Sequence, residues 1–222
     1  GWAIWFSRAV LSLRWHITSG SARKRKVQRQ MHQTIKRFSL EERLVHWMAA
    51  LSFLYAALTG LSLWTPALYW LASVFGGGSL ARMTHPWAGL VFLVAIGLMF
   101  LSWARQMRLD REDREWLKKS HLYALHQEEG LPEPGRFNAG QKMLFWTQVV
   151  VTAILFASGV FIWFPEIFSR QILVIAVLIH ATAAVVSIGT IIVHIYMGTL
   201  AVPGSMHAMV RGEVSERWAA SH

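Results

Sequence analysis

The chain has 222 residues, of which 54% are hydrophobic and 15% are charged, whereas soluble globular proteins carry about 25% charged residues, so the composition predicts a membrane protein. It contains no cysteine, which excludes an iron–sulfur cluster ligated by this chain, a cysteine zinc site, covalently attached haem and any disulfide. The net charge of +10 does not predict nucleic-acid binding, because the basic residues flank apolar segments and accompany no recognition motif.

The segment before the first membrane span is expected to form an N-terminal extension, residues 1–36. Residues 2–15 are apolar but short, and Arg8 and Arg14 interrupt them. This pattern indicates an interfacial amphipathic helix or the visible end of an additional span; a signal peptide is a third alternative, for which no small-residue cleavage site is evident. A basic segment follows, and residues 37–222 are predicted to form the membrane domain.

Four apolar segments have about the length needed to cross a bilayer. They cover residues 44–64, 85–103, 143–164 and 172–200. The fourth would be about 43 Å long at about 1.5 Å per residue, so it is expected to tilt or protrude. Tryptophans lie near the ends of the segments, as in an aromatic belt. The predicted fold is therefore all-α, an integral membrane four-helix bundle.

The charges between the spans predict the orientation. The segment before the first span and the loop between the second and third spans are rich in lysine and arginine, whereas the other two connections carry only Arg82 and Arg170. Because basic loops stay on the cytoplasmic side, both termini and the long middle loop are predicted to be cytoplasmic.

Four histidines lie in the spans or at their edges: His46, His85, His180 and His194. An imidazole in hydrocarbon is costly, which favours a functional role, and neutral imidazole is an axial ligand of haem iron. The last two are fourteen residues apart on one predicted helix, which is within about 40° of a whole number of turns and about 21 Å of rise. They therefore leave one face of that helix near opposite sides of the membrane.

Depth in the membrane decides which histidines can share a metal. The first span enters from the cytoplasm, so His46 lies on the inner side, and the second span returns from outside, so His85 lies on the outer side. On the fourth span His180 is the outer and His194 the inner histidine. The predicted haem ligands are thus His85 with His180 and His46 with His194, because any other pairing would bridge about 20 Å of depth.

A lone membrane histidine is more often an interhelical hydrogen-bond partner than a ligand, and His46 and His85 could each be merely interfacial. Two depth-matched pairs favour ligation. The other histidines lie in polar or terminal segments and are expected to be solvated: His16, His32, His121, His126, His207 and His222.

Two further sets of residues allow two interpretations each. Arg37 and Arg43 on the inner side and Arg82 on the outer side can neutralise haem propionates or act only as flanking topology charges. Small residues inside the spans permit close helix packing or leave room for a flat ligand. These small residues are Gly60, Gly89, Gly97, Gly159, Ala181, Ala183, Ala184 and Gly189.

Several stretches resemble the gamma subunit, cytochrome b, of respiratory formate dehydrogenases. They are RLVHW (43–47), ARMTHPWAG (81–89), RFNAGQKMLFW (136–146), LIHATAA (178–184), VHIYMGT (193–199) and GSMHAMVRGEVSERWA (204–219). The run NAGQKMLFW is the most specific, because related hydrogenase cytochromes b share the haem layout more than this loop.

The resemblance implies two b haems on the four paired histidines, in a bacterial inner membrane. It implies partners: an Fe–S beta subunit and a molybdenum- or tungsten-containing alpha subunit, both facing the periplasm. Electrons from formate would pass through the outer and then the inner haem to a quinone, either menaquinone or ubiquinone, which takes its protons from the cytoplasm. The chain would carry electrons without itself oxidising formate.

The resemblance also implies a quinone pocket formed by Asn138, Ala139, Gly140 and Gln141, next to His194. The amides of Asn138 and Gln141 can supply hydrogen-bond donors at the membrane boundary. The alternative is that Asn138 only caps the third helix and that Gly140 only permits a turn.

Three rival functions remain open from the sequence. The nearest is the cytochrome b of a nickel–iron hydrogenase or of another quinone-linked dehydrogenase. A cation or metal transporter is disfavoured by the absence of Asp and Glu from the four predicted spans. The third is a haem-free membrane anchor for a peripheral enzyme.

Overall fold

The computed structural model describes residues 34–119 and 135–221, and four of its helices are long and apolar enough to cross a membrane. They are α1 (Leu40–Trp64), α2 (Gly78–Trp103), α3 (Ala139–Trp163) and α4 (Arg170–Tyr196). The prediction of an all-α membrane bundle with four spans is therefore confirmed. The predicted helix over residues 2–15 and the polar stretch from residue 121 to residue 134 lie outside the described residues.

The first three membrane helices begin four to seven residues before the predicted spans. In α1 and α3 the reason is a polar first turn. Ser39 caps α1: its hydroxyl accepts the backbone N–H of Glu42 at 3.2 Å, and the carboxylate of Glu42 accepts the backbone N–H of Ser39 at 2.7 Å. Asn138 and Gln141 form the same reciprocal cap on α3. Such capping boxes place the start of each helix at the membrane boundary.

The start of α2 corrects the prediction that His85 lies at the edge of its span. Gly77, with φ near +100°, precedes the helix, and the helix runs from Gly78 through His85. His85 is thus seven residues inside. Pro86 lies within the helix and has no backbone N–H group, so the carbonyl of Arg82 has no intrahelical hydrogen-bond donor at this position.

Short elements join the membrane helices at both ends of the bundle. We call the end where α1 and α3 begin the terminal end, and the opposite end the hairpin end. At the hairpin end, α1 and α2 are joined through a 3₁₀ turn (Pro66–Leu68) and a short helix (Leu71–Val74). The terminal end carries a short surface helix (Arg111–Lys118), a π-helical turn (Met197–Ala201) and a helix (Ser205–Val210).

A small antiparallel sheet ties the two ends of the described chain together at the terminal end. Its strands are β1 (Thr34–Lys36) and β2 (Glu213–Ser215), with Ile35 opposite Val214. A final helix (Glu216–Ser221) follows β2. The segment that leads into α1 is therefore paired with the tail that follows α4.

The bundle is closed on one side and open on another. α1 packs along α2, α3 packs along α4, and α2 contacts α3, whereas α1 and α4 barely touch. Beneath the α2–α3 contact, a buried aromatic cluster fills the terminal end, including Phe38, Trp103, Phe137 and Phe145. Because α1 and α4 have few contacts, a space is left between these two helices.

The first helices of the two helical hairpins, α1 and α3, are related by an internal repeat with an offset of 99 residues. α1 and α3 both have 25 residues, and identical residues occupy equivalent places in and before them. These pairs are Arg37 and Arg136, Phe38 and Phe137, Trp47 and Trp146, Gly60 and Gly159, and Trp64 and Trp163.

Contacts at the terminal end follow the same repeat. A guanidinium nitrogen of Arg37 donates to the backbone carbonyl of Arg136 at 2.6 Å, and a guanidinium nitrogen of Arg136 donates to the carbonyl of Arg37 at 3.1 Å. The indoles of Trp47 and Trp146 each donate to a backbone carbonyl of the segment that follows the other hairpin, Met209 and Met107 respectively. The α1–α2 and α3–α4 hairpins are thus arranged about an approximate two-fold axis that runs along the bundle.

Candidate functional site: two histidine pairs

The four membrane histidines form two pairs at two levels of the bundle. The ring centroids of His85 on α2 and His180 on α4 are 6.2 Å apart, at the hairpin-end level. The centroids of His46 on α1 and His194 on α4 are 6.1 Å apart, at the terminal-end level. These are the pairs that were predicted from depth.

The spacing of each pair fits one metal ion with two imidazole ligands. Two imidazole nitrogens that bind one metal at about 2 Å each lie about 4 Å apart, which puts the ring centroids about 6 Å apart. Within residues 34–119 and 135–221 there is no group of three or more His, Asp or Glu side chains that could hold an ion. The donor set is therefore that of a metal whose other ligands come from a cofactor, as in a bis-histidine haem.

A hydroxyl group orients each histidine at the hairpin-end level. Thr59 Oγ1 donates its proton to the carbonyl of Tyr55 at 2.7 Å, so its lone pair accepts the Nδ1–H of His85, which lies 3.0 Å away. With Nδ1 protonated, Nε2 carries the free lone pair that a metal requires.

The second half of the repeat makes the same arrangement around His180. Ser158 Oγ donates to the carbonyl of Ile154 at 2.7 Å and lies 3.0 Å from His180 Nδ1. Thr59 and Ser158 occupy equivalent places, 99 residues apart. The hairpin-end pair is therefore held in a two-fold symmetric way.

A glycine next to each hydroxyl makes room for the imidazole. A Cβ added to Gly60 would lie 3.0 Å from Cε1 of His85, and one added to Gly159 would lie 3.4 Å from Cε1 of His180. The first contact is tighter than side chains normally make, so any larger residue would displace the ring. These two glycines serve the histidine site rather than close helix packing.

The terminal-end pair lacks such partners. Nδ1 of His46 is buried and has no hydrogen-bond partner in the described part of the chain, and the ring packs edge-on against Trp47 with centroids 5.5 Å apart. His194 makes no side-chain hydrogen bond to any other described residue. A buried nitrogen without a hydrogen bond is costly. Because no described side chain holds Nδ1 of His46 as Thr59 holds that of His85, the orientation of the rings is less constrained at the terminal-end level than at the hairpin-end level.

The arginines that were candidates for propionate binding are used in different ways. A guanidinium nitrogen of Arg43 donates to the carbonyl of Val210 at 2.6 Å, and Arg37 is held by Arg136. Burial, and next the neighbouring Arg136, lowers the pKa of Arg37. Arg82 is exposed near the hairpin end. Two of the three therefore stabilise the terminal end of the fold.

The Asn138–Gln141 turn has the capping geometry that was one of its two interpretations. Asn138 Oδ1 accepts the backbone N–H of Gln141 at 2.9 Å, and Gln141 Oε1 accepts that of Asn138 at 3.1 Å. Both amide nitrogens make no hydrogen bond to described residues. Gly140 is exposed, and a Cβ there would lie 3.8 Å from Trp116. No hydrogen bond or ring contact joins this turn to His194 in the described ranges.

A buried ion pair lies next to this turn and was not anticipated from the sequence. Lys142 Nζ is 2.6 Å from Asp113 Oδ2, and both side chains are less than one tenth exposed. Lys142 also lies 3.4 Å from Asp110, which caps the surface helix. The pKa of Asp110 is lowered, first because its carboxylate accepts the backbone N–H of Asp113 and then because it faces Lys142. The ion pair fastens the surface helix to α3.

The contacts of Thr59 and Ser158 with the histidines were also not predicted from the sequence. Each is followed by a glycine, and each lies nineteen residues after the first residue of its helix. The 99-residue repeat is the sequence signal that relates them, since it aligns one hydroxyl–glycine dipeptide with the other. Helical periodicity alone does not reveal such a relation.

Comparison with known proteins gives the same family throughout. Residues 37–212 match the family model of prokaryotic cytochrome b561. The formate dehydrogenase cytochrome b556(fdo) subunit of Escherichia coli K12 is 37% identical over 85% of this chain and 90% of its own length. The cytochrome b556(Fdn) subunit of the nitrate-inducible formate dehydrogenase of the same strain is 35% identical over 85% and 88%.

A third relative is the formate dehydrogenase cytochrome b556 subunit of Haemophilus influenzae, which is 35% identical over 81% of this chain and 76% of its own length. The predicted resemblance to formate dehydrogenase cytochromes b is confirmed. With four apolar helices long enough to cross a membrane, the chain is a multi-pass membrane protein. The chain belongs to the prokaryotic cytochrome b561 family, and its function is electron transfer on b-type haem in a membrane.

Proposed function

We propose that this chain is the cytochrome b subunit of a formate dehydrogenase complex and that it carries electrons through two b haems to membrane quinone. The observation that carries the proposal is the pair of histidine pairs, with centroids 6.2 and 6.1 Å apart at two depths of one bundle. The names of the relatives support the choice of formate dehydrogenase among quinone-linked dehydrogenases.

The proposed ligands are His85 and His180 at the hairpin-end level and His46 and His194 at the terminal-end level. A bound haem supplies one-electron chemistry, since its iron alternates between ferric and ferrous states. The chain supplies the rest: the bundle fixes the two sites about 21 Å apart along α4, and apolar side chains keep both in a water-poor interior. The glycines at positions 60 and 159 provide the space for the imidazoles.

The proposed orientation puts the terminal end in the cytoplasm of a bacterium and the hairpin end at the periplasmic face of its inner membrane. The support is the distribution of positive charge. Basic residues near the terminal end include Arg105, Arg108, Arg111, Arg114, Lys118, Lys119, Arg136 and Lys142. The only described basic residues near the hairpin end are Arg82, four residues into α2, and Arg170, the first residue of α4. An Fe–S beta subunit and a molybdenum- or tungsten-containing alpha subunit would then dock at the hairpin end.

The proposed quinone site lies at the terminal end, at the turn formed by Asn138, Gly140 and Gln141. The amide nitrogens of Asn138 and Gln141 have no other hydrogen-bond partner among the described residues, so they can donate to a quinone carbonyl while their oxygens cap α3. Gly140 leaves the turn open to the surface. Either menaquinone or ubiquinone would present the same carbonyl chemistry.

The test is the haem content and activity of histidine variants in the purified complex. The wild type is expected to contain two b haems per chain, measured by the pyridine haemochrome, and each of His46→Ala and His194→Ala to contain one. These variants should lose formate-to-quinone activity and keep formate-to-dye activity. His207→Ala, an exposed histidine of the same end, is the control and should behave as the wild type. Two haems in His194→Ala would reject the ligand assignment.

The catalytic subunit that co-purifies with the chain in mild detergent tests the choice of complex. A molybdenum- or tungsten-containing subunit with formate dehydrogenase activity is expected. A nickel–iron subunit with hydrogenase activity would replace this proposal with the rival one, and the haem sites would stand.

A further inference from the structure

The two histidine pairs differ in the hydrogen bonds made by their second ring nitrogens, and this difference has a consequence for electron transfer. We infer that Thr59 and Ser158 lower the reduction potential of the haem held at the hairpin end, so that electron transfer toward the terminal end is favourable. The inference rests on the proposed haem sites and adds two positioning residues to them. Neither hydroxyl would touch the iron; each acts through a histidine.

Each hydroxyl is fixed as a hydrogen-bond acceptor for the ring. The proton of Thr59 Oγ1 is used by the carbonyl of Tyr55, at 2.7 Å, and that of Ser158 Oγ by the carbonyl of Ile154, also at 2.7 Å. The remaining lone pairs face the imidazole nitrogens at 3.0 Å. Because Thr59 is fully buried and Ser158 is 4% exposed, water does not compete for these bonds.

A hydrogen bond from Nδ1–H raises the basicity of an imidazole that binds metal through Nε2. Ferric iron withdraws more electron density from the ring than ferrous iron does, so the acceptor oxygen stabilises the ferric state more. A site whose ferric state is stabilised has a lower reduction potential. Two such acceptors, one for His85 and one for His180, act in the same direction.

The terminal-end pair has the opposite environment. Nδ1 of His46 is buried and has no acceptor within residues 34–119 and 135–221, so this imidazole gains no basicity from these residues. Arg43, three residues earlier on α1, adds a positive charge that disfavours the more positive ferric state. Both features raise the potential at this level. An electron that leaves a ferrous centre at the hairpin end and reduces a ferric centre at the terminal end therefore moves downhill, and no proton is needed.

The repeat gives independent support that the hydroxyls have a role. Within α1 and α3 most aligned positions carry different residues, yet both helices keep a hydroxyl followed by glycine at the same place, Thr59-Gly60 and Ser158-Gly159. At the other level the repeat is broken, because Phe145 is aligned with His46. The symmetric site has the acceptors and the asymmetric site does not.

Potentiometric measurement of the two haems in the full chain, purified with its co-purifying subunits, tests the inference. Thr59→Val and Ser158→Ala should each raise the potential of the lower-potential haem and leave the other unchanged. The loss of one hydrogen bond should change the ferrous-to-ferric ratio at fixed ambient potential about threefold to tenfold, or about 30 to 60 mV for a one-electron couple. The variant Thr59→Ser, which keeps the hydroxyl group, should have the same haem potentials as the wild type.

The chain offers matched controls on the same helices. Thr152 is a buried threonine of α3 whose hydroxyl has no partner in the structure, and Ser62 is a buried serine of α1 that donates to the carbonyl of Thr59. Neither hydroxyl makes a hydrogen bond to a histidine among the described residues. Thr152→Val and Ser62→Ala should therefore leave both potentials unchanged.

A second measurement decides the matter if Thr59→Val or Ser158→Ala loses its haem. His46→Ala should keep only the hairpin-end haem, and its potential should match the lower of the two wild-type values. If the retained haem has the higher value, or if both potentials stay fixed in Thr59→Val and Ser158→Ala with two haems bound, the inference is wrong although the haem sites stand. A wild-type complex with fewer than two b haems would instead reject the proposed sites themselves.

Discussion

At the scale of single residues, the space around an imidazole depends on whether the neighbouring residues have a Cβ atom. Gly60 and Gly159 lie against the rings of His85 and His180, whereas Gly89, Gly97 and Gly189 would meet nothing within 4 Å if a Cβ were added. Glycine costs about 1 kcal/mol relative to alanine inside a helix. The two glycines at the histidines are therefore explained by the site, and the other three are not.

Gly60→Ala should weaken haem binding at the hairpin-end level without destabilising α1. The added Cβ would lie 3.0 Å from His85 and push its ring out of place, and we expect a loss of about tenfold in haem affinity, as for other disturbed ligand environments. Gly159→Ala, with a contact of 3.4 Å, should have a smaller effect. Haem titration of the apoprotein measures both.

Gly89→Ala is the control for this pair, because it adds the same methyl group to α2 in open space. Its haem affinity should equal that of the wild type. Equal losses in Gly60→Ala and Gly89→Ala would show that helix stiffness rather than the contact with His85 is responsible.

Asn138 can be tested so that its cap and its amide donor are separated. Serine is an equally good N-cap but lacks the amide N–H₂ group that we assign to the quinone. Asn138→Ser should therefore keep the thermal stability of the complex and raise the KM for quinone, with both haems retained. Asn138→Ala should additionally lower stability by about 1 kcal/mol. An unchanged KM in both variants would leave Asn138 as a cap only.

At the scale of elements, the surface helix Arg111–Lys118 is attached to α3 by a buried charge pair. The Lys142–Asp113 pair is less than one tenth exposed on either side, whereas Lys118–Glu115 on the same helix is solvent-exposed. Removal of one partner of a buried pair typically costs about 3 to 5 kcal/mol, because the other charge is left buried and unpaired. An exposed pair contributes little.

Asp113→Ala should release the surface helix while the membrane helices stay intact. Hydrogen–deuterium exchange of residues 111–118 should become faster by at least about tenfold, since the unpaired ammonium of Lys142 would seek water. Glu115→Ala removes a carboxylate from the same helix and should leave the exchange rate nearly unchanged. Equal protection in Asp113→Ala and the wild type would show that apolar contacts hold this helix.

How far the elements follow from sequence depends on the signal used. Hydropathy located all four spans but placed three starts too late, because it ignores polar first turns; the capping boxes at Ser39 and Asn138 mark two of those starts within the sequence itself. The pairing of histidines followed from depth, since rise along a helix is fixed. The hydroxyl partners of the histidines could not be predicted in this way. The residue of α1 that faces His85 depends on how α1 and α2 are rotated relative to each other, and hydropathy does not determine that rotation.

At the scale of the whole molecule, two hairpins arranged about an axis carry one symmetric and one asymmetric histidine pair. His85 and His180 come from equivalent helices, α2 and α4. His46 and His194 come from α1 and α4, where the bundle is open. The place on α3 that corresponds to His46 holds Phe145, 99 residues later, and the place on α2 that corresponds to His194, at the 95-residue spacing of His85 and His180, holds Met99. Those two pack in the closed aromatic cluster at the terminal end.

Because of this asymmetry, we expect that two additional histidines alone would not create a third haem site. The double substitution Met99→His and Phe145→His would place imidazoles at the positions on α2 and α3 that correspond to His194 and His46. Because α2 and α3 are in contact there, we expect the purified variant to contain two haems per chain and to be less stable, measured by pyridine haemochrome and thermal unfolding. Three haems per chain would show that spacing between helices does not control occupancy.

One helix, α4, contributes an imidazole to each pair, and it follows the other three described membrane helices in the chain. On the ligand assignment proposed above, a nascent polypeptide with three spans inserted offers no complete iron site at either depth. Porphyrin loading must then follow release of the fourth span from the ribosome, and both centres become available together. Haem insertion into this cytochrome is accordingly expected to occur in one late step rather than in two successive steps.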